Sequence, residues 1–118
     1  MQLGCNTVIF GAHPLEAALQ RIAWAGYQNA HLAAIPSMAN HLTPESDPAA
    51  IKNLVREHGL GISGIETTPD VSKPEGAERL QRMLEMAHDL ECPVVAIGSA
   101  GKTGDEESYN RFIEAIRP

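Results

Sequence analysis

Positive charge is scarce in this sequence: nine Lys and Arg stand against fifteen Asp and Glu, giving a net charge of −6 at pH 7. The cations are scattered and form no basic stripe, which argues against nucleic acid as a partner. Cysteine is nearly absent. Cys5 and Cys92 have neither metal-ligand spacing nor the numbers for a disulfide framework. Both fall in or beside predicted strands, where a thiol packs as a small apolar group. A reduced, cytoplasmic setting is the expectation. Long apolar runs are missing too: none approaches the ~18 residues of a membrane helix, so no membrane partner is expected. Met1-Gln2-Leu3-Gly4-Cys5 carries neither a charged n-region nor a long apolar h-region, and no signal peptide is read. Linkers and low-complexity tracts are lacking, so residues 1–118 read as one domain.

What the sequence does have is a repeat. Apolar runs open at Leu3, Ala30, Gly61 and Pro93, at a pitch of about thirty residues, and an amphipathic helical stretch follows each. The first strand is expected over Leu3–Phe10. Its helix begins at Pro14 and buries Leu15, Ala18, Leu19, Ile22 and Ala23. The second strand runs Ala30–Ile35, with a loop from Pro36 to Ser46. Asp47-Pro48 starts a helix with a side-chain acceptor at the cap and proline just inside, burying Ile51, Leu54 and Val55. Ile62–Thr67 is the third strand. The third helix opens near Pro74-Glu75 and is expected to bury Ala77, Leu80, Leu84, Ala87 and Leu90. Pro93–Ile97, continuously apolar, reads as a strand covered on both faces. Thr103 with Glu106 is the expected capping box of a last helix carrying Tyr109, Phe112, Ile113 and Ile116.

Strands alternating with helices imply an α/β fold: a parallel sheet with right-handed crossovers. If consecutive strands are neighbours, every helix lies on one face, and something else must cover the other. The expected architecture is four βα units forming half of a TIM (β/α)8 barrel. It would be completed by another copy or by a C-terminal half. The alternative is a small doubly wound open sheet with helices on both faces.

Ala25-Gly26-Tyr27-Gln28-Asn29-Ala30-His31-Leu32 resembles the A-G-[FY]-x-x-V-E-L passage of xylose isomerase-like TIM barrels, the sugar-phosphate isomerase/epimerase group. Gly59-Leu60-Gly61-Ile62-Ser63-Gly64-Ile65 is similar to that group's lead into the third strand. Leu90-Glu91-Cys92-Pro93-Val94-Val95 is similar to its lead into the fourth. The resemblance spans essentially the whole chain, as the N-terminal half of such a barrel. It implies isomerisation or epimerisation of a small carbohydrate-like substrate by proton transfer next to a carbonyl. It also implies a divalent metal (Mn, Mg, Co or Zn) in the complete barrel. The family's metal ligands come mostly from strands five to eight, so this chain alone is expected to hold no metal and to be inactive. Where relatives often have Glu, this sequence has His31. Zinc-binding histidines of the family's endonuclease branch have no counterpart in Glu66-Thr67-Thr68 or Gly98-Ser99-Ala100.

Catalytic groups of such barrels sit at the carboxyl ends of strands. That rule selects Glu66 and His31 as candidate catalytic residues, and Asn6, Thr67, Ser99 and Lys102 as candidate substrate-binding residues. Each has a plainer reading: a solvated carboxylate for Glu66, a satisfied core imidazole for His31, a backbone cap for Asn6, and a connector for the Gly98–Gly104 loop. That loop is not a Walker sequence, because Gly98 stands four residues before Lys102. The rival function is a non-catalytic module: a self-associating half-barrel or a small-molecule-binding domain.

Overall fold

The computed structural model describes residues 1–99 and 104–117. Its strands are β1 (Gly4–Asn6), β2 (Asn29–Ile35), β3 (Ala39–Asn40), β4 (Gly61–Thr67) and β5 (Val95–Ile97). The helices are α1 (Leu15–Trp24), α2 (Pro48–Glu57), α3 (Pro74–Asp89) and α4 (Glu106–Ile116). The main sheet runs β1-β2-β4-β5, all parallel, and β3 pairs antiparallel with β2. Consecutive βα strands are therefore neighbours, as half a barrel requires. One apolar cluster joins Leu19 and Ile22 of α1, Val55 of α2, and Met83, Met86 and Ala87 of α3 to Ala30, Leu32, Ala34 and Ile65 of the sheet. Helices α1, α2 and α3 thus cover the same face, and the doubly wound alternative falls.

Three βα units close with one device. Gly26 N–H donates to the Ala23 carbonyl and Tyr27 N–H to that of Ile22 (3.0 and 3.3 Å). Gly59 and Leu60 repeat this on Arg56 and Val55 (2.9 and 3.2 Å). Glu91 and Cys92 repeat it on His88 and Ala87 (3.0 and 2.8 Å). This is the Schellman ending, whose first residue must adopt positive φ. Gly26 and Gly59 do so at +87° and +72°, but the third position is Glu91, at +54°. A Cβ disfavours that conformation. Against this stands an exposed ion pair, Lys52 Nζ to Glu91 Oε2 at 2.6 Å, which holds the Glu91 carboxyl below its usual range. Exposed pairs contribute little. Glu91→Gly should therefore raise the thermal midpoint by a few degrees, whereas Glu91→Ala, which keeps the Cβ and loses the pair, should lower it. Both are read by thermal unfolding at low and high salt.

The structure corrects several expectations. The first strand is three residues, Gly4–Asn6, not Leu3–Phe10: Thr7–Phe10 turn as a 3-10 helix because Asn6 Oδ1 accepts the Val8 N–H at 2.9 Å. The Pro36–Ser46 loop contains β3. Asp47 does cap α2, accepting from Ala49 N–H. In α3 the buried stripe is Gly76, Met83, Met86 and Ala87, continuing to Leu90, while Ala77 and Leu84 are exposed. Two apolar stripes one residue apart run along that helix, and the methionines occupy the inner one. Strand β5 is half-exposed and Val94 is exposed, because β5 pairs with only β4 among the described residues. Thr103 lies outside the described residues. The cap of α4 is Asp105, whose carboxylate accepts the Ser108 N–H.

Candidate functional site

Side-chain alternation assigns each strand residue to a face. On β2, Ala30, Leu32 and Ala34 point into the helix-covered core, so His31 and Ala33 point the other way. Register carries that assignment across the sheet. Asn6 pairs with His31, His31 with Gly64, Ala33 with Glu66, and Glu66 with Ala96. Asn6, His31 and Glu66 therefore share the face that α1, α2 and α3 leave uncovered. Asn6 ends β1 and Glu66 is the penultimate residue of β4, so both stand at carboxyl ends of strands.

Asn6 Nδ2 donates a hydrogen bond to Glu66 Oε2, linking β1 to β4 over the intervening β2. The other end of the same amide, Oδ1, is held by the Val8 N–H. His31 is seated differently. The β2–β4 register slips between Ala30 and His31, so that Ser63 is an extra residue, and its hydroxyl donates to the Ala30 carbonyl at 3.3 Å. Such bulges re-aim side chains. Here the next residue is Gly64, and a Cβ built on it would overlap the His31 ring. The ring therefore lies against bare backbone, in a position only glycine permits.

The strand ends behind this face are pinned. The fully buried Thr7 hydroxyl accepts the Ala33 N–H at 2.9 Å, and the Ala33 carbonyl accepts from Leu42 N–H at 3.1 Å. Thr67, also fully buried, donates through Oγ1 to the Ala34 carbonyl at 3.3 Å, which Arg79 Nη2 reaches as well. By alternation from Glu66, Thr67 faces the helices, and it does not join Asn6 and Glu66. Ser99 is exposed beyond β5, and Lys102 lies outside the described residues. His41 Nε2–H donates to the His13 carbonyl at 2.8 Å, tying the loop after β1 to the chain after β2. Cys5 and Cys92 are free, and burial raises both thiols above their ordinary value. That disfavours the thiolate and leaves them as packing groups.

The sequence pointed to Asn6, His31 and Glu66, which the fold gathers. It gave no role to Ser63 and Gly64. A Ser-Gly pair inside an otherwise apolar strand is the available signal, since a strand glycine marks a bulge or a close backbone approach.

Among the described residues no group of three or more His, Cys, Asp or Glu side chains stands close enough to hold a metal ion. The shared face offers one carboxylate, already bonded to Asn6, and one imidazole. These residues do not amount to a metal cage. Among the described residues, no helix is long and apolar enough to cross a membrane.

No curated protein matches the chain by sequence. Among solved structures, the fold is similar to that of D-psicose 3-epimerase, crystallised in the presence of D-fructose. The TM-score is 0.70 at 15% identity, covering 98% of this chain and 46% of that one. The chain thus spans about half the length of that structural relative. The sequence itself matches the xylose isomerase-like TIM barrel over residues 9–118, and to that family this chain belongs.

Proposed function

We propose that the chain supplies the N-terminal half of a metal-dependent sugar or sugar-phosphate isomerase/epimerase-like enzyme, and that it is inactive alone. The observation that carries this reading is the Glu66 carboxylate, held by Asn6 at the carboxyl ends of β1 and β4 on the face that α1, α2 and α3 leave uncovered. A carboxylate so placed suits proton transfer at a carbon beside a carbonyl. His31, seated on Gly64 of the same face, suits a hydrogen bond to a substrate oxygen. The likeness to a sugar epimerase supports a carbohydrate-like substrate. In the complete barrel a divalent metal, Mn, Mg, Co or Zn, would stabilise the developing enediolate. Its donors would come from the completing half. Two free thiols suit a reduced, cytoplasmic setting.

The test joins this chain to a family C-terminal half, in tandem or by co-expression, and incubates the assembly with ketohexoses and their phosphates in D2O. Deuterium should appear at the carbon next to the carbonyl, and the isolated chain should give none. A folded assembly that exchanges no proton on any of these sugars would sink the reading.

The rival, a self-associating half-barrel without activity, is favoured by the sheet edges. Among the described residues β1 pairs only with β2, and β5 only with β4. Unpaired edges template association. Sedimentation separates the two readings: a stable symmetric dimer that refuses a C-terminal half favours the rival.

A further inference from the structure

We propose that Asn6 is a positioning residue for Glu66, not a substrate contact. This deepens the site reading above and rests on it. The Asn6 amide is engaged at both ends: Oδ1 accepts from Val8 N–H at 2.9 Å, and Nδ2 donates to Glu66 Oε2. The first bond fixes the side chain, because Val8 belongs to the turn Thr7–Phe10 that follows β1, and Asn6 caps that turn. The second passes that fixity sixty residues along the chain to a carboxylate on another strand.

An unrestrained glutamate has three rotatable side-chain torsions and explores many rotamers. Bonding one oxygen to an anchored donor selects the rotamers that reach Asn6. Oε2 is thereby committed, and Oε1 becomes the oxygen that meets the substrate. The turn after β1 is in turn locked to the middle of the sheet, through Thr7 Oγ1 and the Ala33 N–H. Ala33 is the register partner of Glu66. The turn that carries the donor and the strand that carries the acceptor are thus both tied to Ala33 of the intervening β2, which restrains β1 and β4 relative to each other. Positioning of this kind acts on the rate of the chemical step more than on binding.

Asn6→Asp separates the two bonds of the amide. The new carboxylate still accepts the Val8 N–H, so the turn survives, but it has no donor for Glu66. Solution NMR of the chain at pH 7.5 provides the readout. In the parent, the Glu66 Hα–Hβ and Hβ–Hγ couplings should report one rotamer. One Asn6 side-chain amide proton should resonate downfield and exchange slowly, and should lose both features in Glu66→Ala. In Asn6→Asp the Glu66 couplings should average while the Val8 amide stays protected. Glu66 couplings unchanged by Asn6→Asp would overturn the proposal, as would an Asn6 amide indifferent to Glu66→Ala. Should Glu66→Ala fail to fold, Glu66→Gln replaces it, with a smaller upfield move of that proton.

In the completed barrel Asn6→Asp should lower kcat at least tenfold with KM little changed. Averaged couplings with unaltered turnover would leave the clamp standing and overturn the role of Glu66 in the reaction, so the two failures are distinguishable.

Discussion

In the completed barrel, Glu66→Gln is expected to lower turnover roughly 10²- to 10⁴-fold, the range lost when a positioned acid–base group is removed. Glutamine is the informative replacement, because its side-chain carbonyl still accepts the Asn6 Nδ2–H that now holds Oε2. The seat survives and only the ability to take up a proton is lost. Substrate affinity and the unfolding midpoint should therefore hardly move. The measurement is steady-state kinetics together with deuterium incorporation, since a carboxylate acting on the proton must affect both alike. Turnover within a few-fold of the parent would return Glu66 to its plainer reading, a partly solvated carboxylate near a strand end. His31→Gln should have a weaker effect on the rate and a stronger one on KM, because hydrogen bonding to a substrate oxygen contributes to binding as well as to the transition state.

The architecture was legible because its signals are local and repeated. Gly26 and Gly59 each end a helix within three residues of the next strand, and Asp47-Pro48 announces α2 by a cap and a fixed φ. The third repeat hides its ending, since Glu91 adopts positive φ where a glycine is expected. Other features depended on distant partners. Nothing in Thr7-Val8-Ile9-Phe10 distinguishes a strand from a turn until Asn6 caps Val8 and Ala33 claims the Thr7 hydroxyl. The face of α3 could not be chosen from periodicity, because Met83 with Met86 and Leu80 with Leu84 offer stripes one residue apart. Packing against Ile65 and Leu32 decides between them.

The site divides the same way. Strand-end position named Asn6, His31 and Glu66 as candidates, and Asn6 and Glu66 do stand there. His31 is the third of the seven residues of β2, away from its carboxyl end, because β2 begins only at Asn29 and runs on to Ile35. The same rule named Thr67 too, but alternation turns that residue to the helix layer, where the Ala34 carbonyl takes its hydroxyl. What position along a strand cannot supply is pairing between strands. The contact between Asn6 and Glu66 depends on both the β1–β2 and the β2–β4 registers, and the second contains a slip at Ala30/His31. Without that slip the residues beyond it would pair one place out of step, and each would turn to the opposite face. Ser63 is thus the hinge of the site although it has no part in its chemistry.

That dependence makes Gly64 the residue where fold and site meet. Gly64→Ala is expected to destabilise the chain by about 2 kcal/mol, the middle of the range for overpacking a filled position. The backbone alone predicts the opposite sign. Gly64 does not have positive φ, and alanine in a conformation it can adopt restricts the unfolded chain and adds stability. The penalty must come from the His31 ring, whose Cε1 and Nδ1 occupy the space a Cβ would fill. A double-mutant cycle isolates this contribution. Urea unfolding of the parent, Gly64→Ala, His31→Ala and the double variant should show the alanine penalty vanish or reverse once the ring is gone. An equal penalty in both backgrounds would mean that the ring does not rest on Gly64. The bulge at Ser63 would then have no side chain to aim, and His31 would lose its claim to the substrate face.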